Sequence, residues 1–417
     1  MLFAAADKPR FLPPSRQRDR FPGFISKEGL ASVLSKLNAS PHFHTGNIMN
    51  KYKIALLDGD GIGPEIMAEA VKVLKLVEER NDVEFELIHT PFGASAYFEC
   101  GDPFPEQTKN VCDEADAILK GPIGLNHEDS KKIPVDKQPE RGALLPMRRR
   151  YNTYANFRPV ALPQGLAHFS PLKKEIIGNG IDIMIIRELV GGLYFGEKHT
   201  GVNEKGERFV KEVLEYDETQ IRRIATVAFD TAMKRKKVLH NIHKSNVLKS
   251  SVLWNEIVEE VGKNYPEVKI VHILVDAAAT YLCLNPGQFD VMLMENMFGD
   301  ILSDQGGGIL GSLGLMPSAC LGDDKAYYEP SHGSAPDIAG KNIANPYSMI
   351  GSVAMMLEMS FGMDQEAKNV WHAMQSVFAQ GYSTPDLSKP GADVKMIDTQ
   401  GFGDLVVAEL RKLPVAS

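Results

Sequence analysis

Short apolar runs alternate with segments of helical periodicity from residue 51 to the C-terminus, and this alternation constrains the fold more than any other feature. The runs have the length of buried strands and lie at 53–57, 83–87, 117–119, 181–186, 237–239, 268–275 and 291–294. A helix is predicted over 217–236, where Asp217 and Gln220 have capping-box spacing. Strands that alternate with helices usually pair in parallel, so the chain is predicted to be an α/β protein with a substantial parallel component.

Two stretches interrupt this alternation. Residues 194–216 hold three glycines followed by the alternating "RFVKEVLEY", which predicts a hairpin arm of the kind that grips a second subunit. Residues 317–346 are rich in Gly, Pro and Asn and are predicted to form one long loop, and loops of that length in a compact domain usually carry function. Helical patterns follow near 347–361, 364–380 and 402–412.

Composition excludes some classes of function. The 417 residues carry a net charge of −8 with a pI of about 5.8, which argues against a nucleic-acid partner. No apolar stretch approaches the roughly 18 to 20 residues of a membrane span, so no membrane partner is expected. The four cysteines form no C-x-x-C pair, which is typical of free thiols in a reducing compartment, and we expect a cytoplasmic protein.

The first 48 residues differ from the rest of the chain. They contain seven Lys and Arg residues, three acidic residues and no apolar stretch of the kind that signal peptides carry. The acidic residues are atypical of a transit peptide. We interpret residues 1–48 as a disordered N-terminal extension, since Met49 directly precedes the first predicted strand.

The stretch "LLDGDGIGPEI" resembles a phosphate-binding loop between a strand and a helix. Its glycines, Gly59, Gly61 and Gly63, have the spacing G-x-G-x-G, whereas the dinucleotide fingerprint is G-x-G-x-x-G followed by an acidic residue about 20 positions on. Pro64 also removes one N–H group from the start of the helix. A tight strand-to-helix turn near a ligand is therefore favoured over a phosphate loop.

Three carboxylates are candidates for a divalent-cation site. Asp300 and Asp304 are four residues apart and share one face of a predicted helix, and Asp276 follows an apolar strand. Such oxygen ligands suit Mg²⁺. A bare D-x-x-x-D is more often a solvated helix face, but apolar neighbours such as Met297 and Phe298 make simple exposure of this pair unfavourable.

Arginines with apolar neighbours are candidates for anion recognition. Arg148, Arg158 and Arg187 could each bind a carboxylate through two parallel hydrogen bonds, whereas surface salt bridges account for Arg149 and Arg150. Arginines near a metal site in an acidic protein indicate a di- or tricarboxylate substrate. Tyr194 and Lys244 could act as general acid and base, although either residue alone is a weak signal.

From about Lys51 to the C-terminus, seven motifs in order carry a resemblance to a known family. They are "GDGIGPE", "ERGALLPMR", "NFRP", "RELVGGLYFG", "HKSNVL", "NMFGDILSD" and "HGSAPDIAGKNIANP". The chain resembles the β-decarboxylating dehydrogenases, the family of isocitrate and isopropylmalate dehydrogenases. The resemblance implies an isopropylmalate/isocitrate dehydrogenase-like fold, in which two α/β domains share a mixed sheet. The implied domains are 49–153 plus 312–417, which binds the cofactor, and 154–311, which carries dimerisation, metal and substrate residues.

The resemblance also implies NAD-dependent oxidative decarboxylation of a 2-hydroxy acid, with Mg²⁺ or Mn²⁺. Leu144 and Leu145 replace a serine-containing segment of the isocitrate enzymes and suit the isopropyl group of (2R,3S)-3-isopropylmalate, the leucine-biosynthesis substrate. The product would be 4-methyl-2-oxopentanoate. The related alternatives are isocitrate, homoisocitrate, tartrate and 3-methylmalate. A non-catalytic regulatory subunit is the alternative of another class, and the intact set of acid–base and metal residues argues against it.

At matching positions the resemblance assigns individual roles. Substrate-binding residues are Arg148, Arg158, Arg187 and Asp276, with Glu140, Leu144, Leu145 and Val247 around the isopropyl group or the nicotinamide. Tyr194 and Lys244 are the acid–base pair, and Asp276, Asp300 and Asp304 hold the metal. Because Lys244 and Asp276 would come from the partner subunit, the site would require a homodimer.

Cofactor-binding positions are implied on the "HGSAPD" loop and around it: Ile62, Glu329, His332, Gly333, Ser334, Ala335, Pro336, Asp337 and Asn345. A carboxylate at Asp337 would accept the ribose hydroxyls and repel a 2′-phosphate, which favours NAD over NADP. The chain departs from the family pattern at Asp58, at His243 and in "KGPIGLNHE", and these departures bear on loop details and kinetics more than on the reaction class.

Overall fold

A computed structural model describes residues 50–388 and 394–415, so the predicted extension at 1–48 lies outside the described residues. Its main feature is a ten-stranded mixed sheet with the order β2-β1-β3-β12-β11-β4-β5-β10-β8-β9. The strands of this sheet are β1 Asn50–Leu57, β2 Val83–His89, β3 Ala117–Lys120, β4 Ala155–Pro163, β5 Gly180–Glu188, β8 Val238–His243, β9 Lys269–Leu274, β10 Val291–Met294, β11 Pro317–Leu321 and β12 Ala326–Pro330. Two two-stranded sheets are formed by β6 Lys198–Val202 with β7 Arg208–Glu212 and by β13 Tyr382–Ser383 with β14 Lys395–Met396.

Thirteen α-helices occur in the described part of the chain. They are α1 Gly63–Arg80, α2 Ala94–Cys100, α3 Glu106–Glu114, α4 His127–Ser130, α5 Leu145–Tyr151, α6 Lys174–Ile177, α7 Glu218–Met233, α8 Lys249–Gly262, α9 Val275–Leu284, α10 Asn296–Leu310, α11 Tyr347–Met359, α12 Asp364–Ala379 and α13 Thr399–Leu410. A π-helical turn, Glu140–Leu144, runs directly into α5.

The large sheet is parallel at both ends and antiparallel in its centre. Strands β2, β1, β3 and β12 pair in parallel, and so do β5, β10, β8 and β9, while β12, β11, β4 and β5 pair antiparallel. Both faces are covered, because alternate residues of β1 enter two different apolar clusters: Ile54 and Leu56 one, Ala55 and Leu57 the other. The predicted α/β class with a mixed sheet is confirmed.

Local sequence signals account for several element boundaries. Asp217 and Gln220 form a reciprocal capping box at the start of α7, as their spacing predicted. Pro64 lies in the first turn of α1, where its missing N–H group costs nothing. The five strands built from 50–120 and 317–330 lie on one side of the sheet and the five from 155–294 on the other, while the domain division itself stays a prediction.

The prediction of one uninterrupted loop over 317–346 was wrong. Two central strands, β11 and β12, occupy its first half and are fully buried, and a turn closed by Gly322 N–H and Lys325 C=O joins them. Pro317 and Pro330 lie at strand ends, where a missing N–H group is tolerated. These prolines therefore wrongly indicated a loop. The loop itself begins after Pro330.

The predicted hairpin within 194–216 is present as β6 and β7. Its side chains are exposed, including the apolar Val202, Phe209 and Val210, which are 64%, 45% and 69% exposed. The role of this hairpin as an arm that contacts a second subunit stays a prediction. Among the residues described, none of the helices has the length and apolar character that crossing a membrane requires.

Candidate active site

A cleft of about 290 Å³ lies beside the antiparallel centre of the sheet. Strand ends and the loops after β3 and β12 form it together with α5 and α10. Eleven of the predicted site residues line it: Glu140, Leu144, Leu145, Arg148, Arg158, Arg187, Tyr194, Asp300, Glu329, His332 and Gly333. The structure therefore gathers these eleven residues, which span 193 positions of the sequence from Glu140 to Gly333, around one small cavity.

Arg187 is the most buried of the three arginines and lies at the end of β5. Its Nη1 atom donates to Asp300 Oδ1 at 2.6 Å, and its Nη2 atom donates to Asn296 Oδ1 at 2.8 Å. A Cβ atom at Gly299 would collide with the Arg187 side chain, so that glycine lets the arginine lie against α10. Burial lowers the pKa of Arg187 to about 10, helped by repulsion from Arg158, and the side chain remains cationic at neutral pH.

Tyr194 shares the carboxylate of Asp300 with Arg187. Its hydroxyl donates to Asp300 Oδ2 at 2.8 Å. Burial and this hydrogen bond raise the pKa of Tyr194 to about 12, so the phenol keeps its proton at neutral pH and can act as an acid. Burial acts against ionisation of Asp300, but the nearby Arg187 and Arg158 charges outweigh it and hold the pKa of Asp300 below its ordinary value.

Arg158 extends from β4 toward the same helix. Its Nε atom donates to Asn156 Oδ1 at 2.8 Å, and its Nη1 atom donates to Ser303 Oγ at 2.6 Å. The same Nη1 atom lies 3.6 Å from Asp304 Oδ1. Two of its nitrogens are thereby oriented by neutral partners, and the Asp304 carboxylate lies beyond hydrogen-bonding distance, so the guanidinium can still bind an anionic ligand.

Arg148 completes the set from α5. Its Nε atom donates to the Tyr327 hydroxyl at 3.0 Å, and its Nη2 atom lies 3.6 Å from Glu329 Oε1. Three buried arginines therefore border one cleft. Because guanidinium groups bind carboxylates through parallel hydrogen bonds, such a set fits a ligand with more than one carboxylate.

Leu144 and Leu145 form an apolar part of the cleft wall. Both are half-buried and lie where the π-helical turn passes into α5, one turn before Arg148. Glu140 begins that turn, and its side chain is exposed at the mouth of the cleft. The apolar pair beside three cations matches a ligand that carries both carboxylates and a small aliphatic group.

The glycine loop before α1 packs against the predicted cofactor loop. Gly61 has a φ of +56°, and a Cβ atom there would overlap the carbonyl oxygen of Ser334. The Ile62 N–H group donates to that same carbonyl at 2.9 Å, and Ser334 Oγ donates to Gly124 C=O at 2.7 Å. These contacts agree with a tight turn near a ligand site.

The remaining predicted cofactor residues lie on or beside the loop after β12. His332 Nε2 is 2.9 Å from Ser348 Oγ, and burial lowers the pKa of the His332 ring. Asn345 is buried; its Nδ2 atom donates to Asp386, and its Oδ1 atom accepts from Tyr347 N–H. The turn formed by Ala335, Pro336 and Asp337 has two exposed members, Pro336 and Asp337, and Ala335 has a φ of +41°.

Lys244, Asp276 and Val247 are not among the residues that line the cleft. Lys244 Nζ donates to Asp276 Oδ1 at 2.6 Å, and that hydrogen bond lowers the pKa of the largely exposed Asp276. Val247 is 69% exposed, and its backbone N–H group donates to the carbonyl oxygen of Lys244 at 3.0 Å. These three residues form a separate group on the surface of the chain.

Asp300 and Asp304 fit a divalent cation as two of its ligands. They lie one turn apart on α10, and burial together with the Asp300 charge raises the pKa of Asp304. Two nearby carboxylates repel each other when both are ionised. A bound divalent cation such as Mg²⁺, which prefers oxygen ligands, would offset that repulsion. Within the described residues no three His, Cys, Asp or Glu side chains form a metal-binding group, so the predicted trio is not assembled in one chain.

Sequence reasoning missed several residues that build the cleft. Asn156, Asn296 and Ser303 orient the arginines, and Asp60 accepts hydrogen bonds from the backbone of Ala94, Ser95 and Gly124. Neutral residues that position an arginine carry no distinctive spacing in the sequence. Lys120 also lines the cleft, and a lysine that ends the apolar run "AILK" was a signal that could have been noticed.

Comparison with known proteins identifies the family of the chain. A family model described as isocitrate/isopropylmalate dehydrogenase matches residues 53–406. The chain belongs to the isocitrate/isopropylmalate dehydrogenase family. Within that family, it is 47% identical to a 3-isopropylmalate dehydrogenase of Thermotoga maritima over 87% of this chain and 99% of the relative.

Two further members of the family are similar to the chain. A 3-isopropylmalate dehydrogenase of Chromobacterium violaceum is 48% identical over 86% of this chain and all of the relative. Among solved structures, isocitrate dehydrogenase from Methylococcus capsulatus has a TM-score of 0.76 at 33% identity, covering 86% of this chain and 99% of that one. Of these three relatives, the two named 3-isopropylmalate dehydrogenase have the higher sequence identity to this chain.

Proposed function

We propose that the protein oxidises and decarboxylates (2R,3S)-3-isopropylmalate with NAD⁺, which gives 4-methyl-2-oxopentanoate, CO₂ and NADH in leucine biosynthesis. The observation that carries the proposal is the identity of 46–48% to several 3-isopropylmalate dehydrogenases across nearly their full length. The cleft supports it, because three buried arginines beside Leu144 and Leu145 suit a malate with an isopropyl group. We place the enzyme in the cytoplasm.

Arg148, Arg158 and Arg187 would bind and orient the two carboxylates of the substrate. Each guanidinium is held by a buried neighbour, so little side-chain entropy is lost on binding. Leu144 and Leu145 would contact the isopropyl group and exclude water from that side of the cleft. The substrate would therefore be held in one orientation, with its C2 hydroxyl toward Tyr194 and the aspartates of α10.

Two side chains would handle the protons. The partner subunit's Lys244 would accept the proton of the C2 hydroxyl, and Tyr194 would protonate C3 after CO₂ leaves. Tyr194 suits this role because it is protonated at neutral pH and its hydroxyl is oriented by Asp300. One proton is removed and one is returned, so the overall reaction neither consumes nor releases a proton.

Mg²⁺ or Mn²⁺ would be held by Asp300 and Asp304 together with the partner subunit's Asp276. When bound, the cation would supply Lewis-acid stabilisation of negative charge on the substrate oxygen at C2. The arrangement in this chain supports shared ligands, because Asp276 is exposed and paired with Lys244 outside the cleft. We therefore propose a homodimer whose two active sites each draw residues from both subunits.

NAD would bind along the loop after β12, with Asp337 on the ribose hydroxyls and Ile62, His332 and Asn345 around the adenosine. The bound cofactor would supply the acceptor for the hydride that leaves C2. Glu329, Gly333, Ser334, Ala335 and Pro336 would form the rest of the cofactor wall. Asp337 is exposed, so its carboxylate is free to accept two hydroxyls and would repel a 2′-phosphate.

The deciding experiment measures NADH formation with 3-isopropylmalate, isocitrate, homoisocitrate, tartrate, 3-methylmalate and malate, with and without Mg²⁺. We expect 3-isopropylmalate to have the highest kcat/KM and the rate to fall when Mg²⁺ is removed. With NADP⁺ we expect a kcat/KM at least about tenfold lower, equivalent to ~1.4 kcal/mol. Turnover of another acid but not of 3-isopropylmalate would overturn the substrate assignment, and equal rates with NADP⁺ would overturn the role of Asp337.

Replacing Gly61 with alanine is expected to raise the Kd for NADH at least about tenfold. The left-handed backbone conformation costs a residue with a Cβ atom about 1–2 kcal/mol, and the new atom would push the Ser334 carbonyl out of place. The measurement is a fluorescence titration of the purified variant with NADH. Gly165→Ala is the matched control, because nothing lies within 4 Å of the added atom there. An unchanged Kd in folded Gly61→Ala protein would contradict the link between the two loops.

A further inference from the structure

Lys120 is a buried lysine that borders the cleft and has no part in the proposed reaction. It ends β3, and only 1% of it is exposed. A buried ammonium group is unfavourable unless it is paired and hydrogen-bonded. Lys120 Nζ forms an ion pair with Glu329 Oε2 at 2.6 Å and donates a hydrogen bond to the carbonyl oxygen of Gly121 at 2.9 Å.

Glu329 lies between two cations, which it contacts unequally. One carboxylate oxygen is 2.6 Å from Lys120 Nζ, and the other is 3.6 Å from Arg148 Nη2, beyond hydrogen-bonding distance. Burial acts against its ionisation, yet the Lys120 and Arg148 charges outweigh burial and hold the pKa of Glu329 below its ordinary value. The carboxylate is therefore ionised, and Lys120 is its main counterion.

This inequality matters because Arg148 is one of the three arginines proposed to bind the substrate. Without Lys120, the buried Glu329 carboxylate would lose its closest cation. The nearest replacement is Arg148, since a movement of less than about 1 Å would bring the two within hydrogen-bonding distance. An internal carboxylate paired with Arg148 would then compete with the carboxylate of the substrate.

We propose that Lys120 is a positioning residue that holds Glu329 away from Arg148 and so keeps Arg148 available for the substrate carboxylate. The proposal rests on the proposed function in one respect, the role of Arg148. The other role that a cleft lysine could have is direct contact with a further carboxylate of a tricarboxylate substrate. The observed pairing disfavours it, because Glu329 already neutralises Lys120.

The test is a double-mutant cycle of Lys120→Met, Glu329→Gln and the combined variant, measured by steady-state kinetics at saturating NAD⁺. Lys120→Met is expected to raise KM for the hydroxy acid at least about tenfold, with a smaller change in kcat. In the Glu329→Gln background, the same substitution should change KM by less than about threefold, because no competing carboxylate remains. Lys120→Arg, which keeps the charge, should retain KM near the wild-type value.

Two results would overturn the proposal. If Lys120→Met raises KM equally in both backgrounds, Lys120 contacts the substrate itself; if KM changes in neither background, Lys120 does not influence Arg148. Should Lys120→Met fail to fold because Glu329 is left unpaired, the comparison of Glu329→Gln with the combined variant and the Lys120→Arg result still decide the matter. Lys325→Met is the control for loss of a half-buried lysine elsewhere and should leave KM unchanged.

The cycle is run with whichever hydroxy acid the wild-type protein turns over. If 3-isopropylmalate is not a substrate, the proposed function fails at that step. The role of Lys120 is then judged separately, because Arg148 would still bind a carboxylate of the actual substrate. The two failures are therefore distinguishable.

Discussion

Replacing Lys244 with alanine is expected to reduce kcat at least about a hundredfold while the Kd for NADH stays within about twofold of wild type. The proposed role of Lys244 is to accept the hydroxyl proton, and no other lysine is assigned to it. In the free chain Lys244 is 27% exposed and donates to Asp276. Stopped-flow measurement of NADH formation, with a separate NADH titration, separates loss of chemistry from loss of cofactor binding.

Lys263→Ala is the control for this substitution, because Lys263 is exposed just beyond the end of α8 and away from the cleft. Its kcat should equal that of the wild type. Wild-type turnover by Lys244→Ala would remove the lysine from the mechanism. A large loss of NADH binding would instead assign it to the cofactor site.

Mixing two inactive variants is expected to restore activity. Lys244→Ala and Tyr194→Phe each damage one member of the acid–base pair, and in a heterodimer one of the two shared sites receives Tyr194 from the first subunit and Lys244 from the second. Random reassociation at equal amounts makes about half of the dimers heterodimers, each with one intact site. The mixture should therefore reach about a quarter of the wild-type activity.

The measurement requires subunit exchange, by joint unfolding and refolding or by co-expression with two affinity tags. Each variant taken alone through the same procedure should stay inactive. If the mixture also stays inactive although tagged heterodimers are recovered, Lys244 and Tyr194 act within one subunit. Lys244 and Asp276 would then have to move from the surface of the chain into the cleft.

Features that depend on neighbouring residues were predicted well. The four-residue spacing of Asp300 and Asp304 placed both on one face of a helix, and the structure has them on α10. The capping box of α7 and Pro64 in α1 were also predicted, because both depend on backbone groups within one turn. The glycine spacing before α1 correctly predicted a tight turn.

Features that depend on distant residues were predicted poorly from local pattern. The prolines and glycines of 317–346 indicated a loop, but β11 and β12 gain their stability from neighbouring strands in the centre of the sheet. The strand propensity of single residues predicts secondary structure poorly where pairing with neighbouring strands and burial stabilise the segment. The resemblance to a family supplied the predicted site residues, but it did not supply the side chains that pair with them.

The sequence by itself determined the α/β class, the family and the residue types available for chemistry, because periodicity and motif order are properties of the chain. Only the tertiary structure decided that Asn156, Asn296 and Ser303 orient the arginines and that Glu329 lies closer to Lys120 than to Arg148. Glu329 lies 209 positions from Lys120 and 181 from Arg148, so spacing cannot rank the two pairings. Electrostatic energy depends on distances of a few ångströms, and the fold alone determines those distances.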